Sequence, residues 1–299
     1  MSGVITRFAP SPNGRLHPGH AFSALFAARY ARVHGGRFLL RVEDIDFTRA
    51  RPRFVEGIFE DLRWLGLSWP EPVLFQSRHV RDYCRALMEL RRMGVLYPCY
   101  CTRREVRANT PPDAPRDPDG APLYPGTCRA RHDDGEAVPC GDIGWRPGKG
   151  PMPPAWRLDM DKALALAERK AGGALFWHEE GAGPAGESGR VMADARRWGD
   201  VILGRRDIGV SYHVAVVIDD ARQAVSHVTR GQDLFHASAI HRLLQVLLEL
   251  PEPVYVHHRL IADEEGRKLS KSAGDVSLAA LRARGVRAED LVAMFSDLP

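Results

Sequence analysis

Two histidines three residues apart, His17 and His20 in His17-Pro18-Gly19-His20, are the first side chains with chemistry to offer. Residues at i and i+3 share one side of a helical turn. A helix start presents free backbone N–H groups and the positive end of the helix dipole, which favour an anion. Gly19 has no Cβ, so a ligand can approach the backbone closely. Imidazoles placed there can hydrogen-bond phosphate oxygens and stabilise charge developing in a transition state. A Pro-Gly turn with solvated histidines is spelled by the same letters, and Pro18 fits the first position of a helix. Far away, Lys268-Leu269-Ser270-Lys271-Ser272 sets two lysines and two hydroxyls in a loop led by Gly266. Mobile ammonium groups of this kind can wrap a polyphosphate. The alternative is a solvated basic loop.

Charged residues at strand ends form a third group. Arg7, Glu43 and Arg230 are distant in sequence, yet each falls at the carboxyl end of a predicted strand. Ligands of open α/β sheets bind in the crevice outside those ends. Glu43 also reads as a strand-end acid in a structural ion pair, and Asp44 and Asp46 read as structural, Asp46 as a cap of the next segment. Cys99, Cys101 and Cys128 form a soft thiolate set suited to zinc. Residue type alone nominates Cys140 or His132 as a fourth ligand, and three buried free cysteines are the alternative. Cys84 reads as core.

These side chains need a frame to bring them together. Residues 3–9 read as a strand, the turn-rich Pro10–Pro18 follows, and a helix is predicted over 19–34 from the spacing of Phe22, Phe26, Tyr30 and Val33. Phe38, Leu39, Leu40 and Val42 read as a strand buried on both faces, which completes a βαβ unit. Helices are predicted at 53–66, 78–94 and 238–250, and strands at 200–203, 212–218, up to Arg230, and through VYVHHRLIAD. Residues 102–150 read as irregular, ALALAERK as a short helix, and 179–190 as an exposed loop.

The HxGH-like element after the first strand and the K-x-S-K-S loop together resemble class I aminoacyl-tRNA synthetases. RFAPSPNGRLHPGH, LLRVEDID, YHVAVVIDDA with VTRGQDL, and GRKLSKS are similar to the glutamyl/glutaminyl branch, in that order, from Arg7 to Ser272. The match is weakest over 103–123 and 130–190. The resemblance implies catalytic roles for His17, His20, Lys268 and Lys271, and ATP contacts from His17, Gly19, His20 and Lys271. It implies a glutamate pocket of Arg7, Phe8, Ala9, Pro10, Ser11, Glu43, Tyr212 and Arg230. Side-chain chemistry suits that substrate. Arg7 and Arg230 can each take a carboxylate in bidentate fashion, Glu43 can take the ammonium, and Ser11 and Tyr212 can add hydrogen bonds. Which arginine reads the side-chain carboxylate stays open. The C-x-C…Y-x-x-x-C spacing resembles the zinc knuckle of the glutamyl-Q tRNA(Asp) synthetase family, which implies a structural zinc on Cys99, Cys101, Tyr124 and Cys128.

The expected fold class is therefore α/β. It comprises a Rossmann-like catalytic core in two halves (1–98 and 196–272), a zinc-bearing insertion (99–195) and a short helical tail (273–299). Only 27 residues follow Ser272, so no anticodon-binding domain is expected. That architecture resembles the glutamyl-Q tRNA(Asp) synthetase family. It implies activation of glutamate by ATP with Mg²⁺, then transfer to the queuosine base of tRNA(Asp). The rivals are a catalytic core charging tRNA(Glu), a non-tRNA adenylate-forming ligase and a non-catalytic relative. The formal charge of +4 is a mild bias compatible with a nucleic-acid partner. Five cysteines, an odd and low number, argue against a disulfide framework. No apolar run long enough to cross a membrane and no signal peptide stand out, so a cytoplasmic protein is expected; a monomer is expected as well.

Overall fold

The computed structural model describes residues 3–130, 153–261, 276–295 and 298–299. The chain begins with β1 (Ile5–Phe8), buried along its whole length. Helix α1 (Pro18–Val33) turns Ala21, Phe22, Ala24, Leu25 and Ala27 inward, and β2 (Arg37–Val42) returns parallel to β1, with Arg7 opposite Leu39. Helix α2 (Pro52–Trp64) leads to the short β3 (Leu74–Phe75), parallel to β2. Helix α3 (Val80–Arg92) has a strongly one-sided apolar face that buries Tyr83, Cys84, Leu87 and Leu90.

The middle of the chain builds a small antiparallel sheet. Strand β4 (Leu96–Cys99) precedes the short α4 (Arg103–Ala108) and pairs with β5 (Ala155–Leu158). After α5 (Met160–Ala171) come β6 (Phe176–Glu179), its hairpin partner β7 (Gly189–Met192), and β8 (Ile202–Gly204), which pairs with β5. Helix α6 (Tyr212–Arg222), β9 (His227–Gly231), α7 (Ala237–Leu247) and β10 (Val254–His258) follow, then α8 (Leu278–Ala283) and α9 (Ala288–Ala293). Strand β10 runs parallel to both β9 and β6, so the 99–195 stretch contributes a strand to the main sheet.

Residues 212–218, predicted as a strand, are helical. The Val214–Val217 run is buried throughout, and continuous apolar runs read alike in a buried strand and a buried helix. The 179–190 segment is not simply a loop, because Glu179 ends β6 almost fully buried and Gly189 starts β7.

Strands β1 and β9 abut. The Ser226 amide donates to the Ile5 carbonyl at 3.0 Å, and Ser226 Oγ accepts the Ile5 amide at 2.8 Å. The chain winds outward from β1 to β2 and β3 on one side, and through β9 to β10 on the other. The β1/β9 boundary is thus the switch point of a doubly wound parallel sheet, where a crevice opens at the strand carboxyl ends. One apolar core lies between α1, α2 and the first strands and takes in Leu278, Leu291 and Phe295; a larger one joins α3, α5, α6 and α7 to β5 and β10. No helix among the described residues is long and apolar enough to cross a membrane.

Candidate active site and cysteine knuckle

The switch point holds a pocket of about 650 Å³. Arg7, Phe8, Ala9, Pro10 and Ser11 line it from the end of β1 and the turn beyond. His17, Gly19 and His20 line it from the start of α1, Glu43 from the end of β2, Tyr212 from the start of α6, and Arg230 from β9. Every described residue expected to touch glutamate or ATP is on this one wall. Lys268 and Lys271 lie outside the described residues. A cleft of about 720 Å³ on the far side of α1, lined by residues such as Leu25, Arg29, Phe38 and Leu65, gathers no comparable set of opposed charges.

The histidine turn has a defined geometry. His17 caps α1 in an extended conformation, and Pro18 occupies the first helical turn, where its missing N–H costs no hydrogen bond. The His17 amide donates to His20 Nδ1 at 3.2 Å, and the rings stand 3.7 Å apart. His20 Nδ1 therefore carries a lone pair, which leaves Nε2 to donate elsewhere in the neutral ring. A Cβ at Gly19 would come within 3.0 Å of the His17 ring, so glycine here makes room for that imidazole. The proline-rich turn is tied down as well, since the Pro10 carbonyl accepts the Glu43 amide at 3.1 Å.

Behind the pocket runs a buried chain of charges. Arg7 donates to both oxygens of Asp220, at 2.9 and 3.4 Å, and to the Thr229 carbonyl at 3.1 Å. Arg41, fully buried, bridges Asp220 at 2.7 Å and Glu43 at 3.2 Å. The structural ion pair considered for Glu43 thus exists while that carboxylate still faces the pocket. Burial raises the Glu43 pKa over the opposing pull of Arg41 and Arg7. Burial also opposes ionisation of Asp220, but Arg7 and Arg41 outweigh it and hold that carboxyl below its ordinary value. Next along α6, Asp219 accepts from Gln76 at 2.9 Å and Tyr83 at 2.7 Å. Arg41, Asp219 and Asp220 were invisible as partners in the sequence. Their signal was the pair of acids inside an otherwise apolar helix, which demands buried counter-charges.

Arg230 differs from Arg7. Among the described residues its guanidinium meets neutral acceptors: His257 Nε2 at 3.0 Å, His241 Nδ1 at 3.1 Å and Ser238 Oγ at 2.6 Å. The Tyr255 ring lies 5.1 Å away.

A separate cluster stands at the end of β4. The sulfurs of Cys99, Cys101 and Cys128 lie within 4.8 Å of one another, and Tyr124 Oη is 3.4 Å from the sulfurs of Cys99 and Cys101. Zinc–sulfur bonds of ~2.3 Å at tetrahedral angles put sulfurs about 3.8 Å apart. The set is therefore close to the shape a zinc ion requires, and its soft donors match. The Cys128 amide donates to Tyr124 Oη at 2.9 Å. Burial opposes it, but the Tyr124 hydroxyl and the amides of Tyr100 and Cys101 bring the Cys128 thiol down to about 7. Arg157, unremarkable in the sequence, stacks 3.7 Å over the Tyr124 ring and donates to Cys99 Sγ at 3.4 Å. Its charge offsets part of the negative charge that deprotonated ligands would carry. The alternative fourth ligands His132 and Cys140 lie outside the described residues.

Comparison with known proteins places this geometry in a family. The model of the catalytic domain of class I tRNA synthetases (E and Q) matches residues 3–134 and 187–297. A glutamyl-Q tRNA(Asp) synthetase of Rhodobacter capsulatus is 46% identical over 96% of this chain and 98% of its own length. One from Nitratidesulfovibrio vulgaris is 40% identical over 95% of this chain and 83% of its own. A glutamate–tRNA ligase of Prochlorococcus marinus is 34% identical over 96% of this chain but 56% of its own length. The crystal structure of glutamate-tRNA synthetase from Elizabethkingia anophelis superposes with a TM-score of 0.66 at 26% identity, covering 91% of this chain and 53% of that one.

Proposed function

This chain belongs to the glutamyl-Q tRNA(Asp) synthetase family, a branch of the class I tRNA synthetases, and from that premise we propose its reaction. The protein activates L-glutamate with ATP and transfers the glutamyl group to the queuosine base of tRNA(Asp). The observation that carries this reading is the single pocket in which Arg7, Arg230, Glu43 and Tyr212 face the His17–His20 turn. Two guanidinium groups and one carboxylate complement the two carboxylates and the ammonium of glutamate.

In the first step the glutamate α-carboxylate attacks the ATP α-phosphorus in line, and pyrophosphate leaves. The protein supplies positioning and charge stabilisation rather than a covalent nucleophile. His17, His20, Lys268 and Lys271 take the phosphates; Gly19 lets the adenosine approach the helix start. Fixed donors aimed at developing negative charge are the largest lever available to such a site. In the second step a hydroxyl of the queuosine cyclopentene ring attacks the glutamyl carbonyl and AMP leaves. Cys99, Cys101, Tyr124 and Cys128 would hold one structural zinc, with no open position for chemistry. Substrates of this kind put the protein in the cytoplasm, where it acts as a monomer.

The test is pyrophosphate exchange into ATP. Exchange should depend on glutamate and be at least tenfold weaker with glutamine or aspartate. Equal exchange with glutamine, or none with any amino acid, would contradict the reading.

A further inference from the structure

Arg230 is 6% exposed, yet among the described residues the hydrogen-bond partners of its guanidinium are uncharged. A buried cation ordinarily pairs with a carboxylate, as Arg7 and Arg41 do with Asp220. The hydrogen-bond pattern settles the tautomers behind Arg230. His257 accepts from Arg230 Nε at Nε2, so its proton sits on Nδ1, which contacts Glu179 at 2.6 Å. His241 accepts from Arg230 at Nδ1, so its Nε2–H points at His213 Nδ1, 3.2 Å away. Burial drives the His213 and His257 pKa values down to about 4 and that of His241 well below its ordinary value, so these rings stay neutral at physiological pH.

The shell is itself braced. Glu179 accepts the His257 amide at 2.8 Å and the Gly181 amide at 2.9 Å. Residue 181 must be glycine, since a Cβ there would fall 2.2 Å from the His257 carbonyl oxygen. Glu179 therefore stabilises Arg230 across one imidazole without occupying its hydrogen-bonding edge. Arg230 lines the pocket, whereas His241, His257 and Ser238 do not. They sit behind it.

We propose that His241, His257 and Ser238 are positioning residues for substrate recognition: they fix the Arg230 guanidinium with neutral acceptors and leave its charge for a carboxylate of the substrate. This rests on the glutamate-activating reading above and adds how a substrate carboxylate is met by an arginine with no carboxylate on its own hydrogen-bonding edge. A carboxylate neutralises Arg230 directly.

Placing a carboxylate in the shell tests this. His241→Glu and Ser238→Asp each put an internal anion beside Arg230, from different sides. Glutamate KM in pyrophosphate exchange should rise at least tenfold in each folded variant, with KM for ATP unchanged and kcat at saturating glutamate within threefold. His241→Gln keeps a neutral acceptor and should hold glutamate KM within threefold of the parent. A folded His241→Glu or Ser238→Asp protein with parental glutamate KM overturns the inference, as does a parallel loss of kcat and thermal stability in His241→Gln. Should one acidic variant not fold, the other decides. If the parent protein shows no glutamate-dependent exchange, it is the reading of the function that fails instead.

Discussion

Replacing Asp220 by Asn removes one charge from a place where two buried cations meet. Arg7 Nε and Arg41 Nη1 approach the same oxygen, at 2.9 and 2.7 Å, and both side chains are at most 5% exposed. Asparagine keeps the shape and one acceptor but takes away the anion that Arg7 and Arg41 share, which leaves Glu43 and Asp219 as the carboxylates acting on Arg41. Removing one partner from a buried ion pair costs about 3–5 kcal/mol, because the survivor remains desolvated. With an unfolding entropy of roughly 2.1 cal/mol/K per residue over 299 residues, that is a fall in melting temperature of roughly 5–8 °C at pH 7. The sign with pH follows from the depressed Asp220 pKa. A carboxyl held below its unfolded value stabilises the fold above that value, about 3.9, and loses the contribution as pH falls through the folded one. The gap between parent and variant should therefore narrow below about pH 4. Differential scanning calorimetry at pH 7 and in the acid range checks both. A variant melting within 1 °C of the parent at pH 7, or a gap that widens in acid, refutes the reasoning.

Other perturbations separate structure from substrate. Glu43→Gln should raise glutamate KM at least tenfold without lowering the melting temperature, since burial already disfavours the charge that it removes. Purified protein should carry one zinc by elemental analysis; Cys99→Ala should lose it, and Tyr124→Phe should bind it more weakly in a chelator competition, by ~10-fold or more. Lys271→Ala should cut pyrophosphate exchange by about 10²–10³, the loss expected for a donor to the transition state. Tyr83→Phe should cost about 1–3 kcal/mol in denaturant unfolding, because it takes away one of the hydrogen bonds to buried Asp219.

Local signals carried much of the architecture. The periodic Phe22, Phe26 and Tyr30 positions, the Pro18 start and the strand around Leu40 describe the first βαβ unit, and α1 and β2 follow them closely. The charged residues at strand ends then meet because parallel strands bring their carboxyl ends to one edge. What stayed hidden was pairing across long distances. Arg7 and Asp220 are 213 residues apart, and nothing local in either segment names the other. The misreading of residues 212–218 has the same origin, since four consecutive buried valine and alanine residues erase the amphipathic period that distinguishes helix from strand. His241 and His257 were likewise silent. A histidine on a buried face looks like core until its neighbour proves to be an arginine.

The most direct measurement of the central claim follows labelled glutamate. The protein is incubated with ATP, glutamate and one of three acceptors: tRNA(Asp) with queuosine, tRNA(Asp) without it, and tRNA(Glu). Label should appear only on queuosine-bearing tRNA(Asp) and, after nuclease digestion, in the anticodon fragment. Label at the 3′ end of tRNA(Glu) would contradict the proposed acceptor and make the protein a charging enzyme.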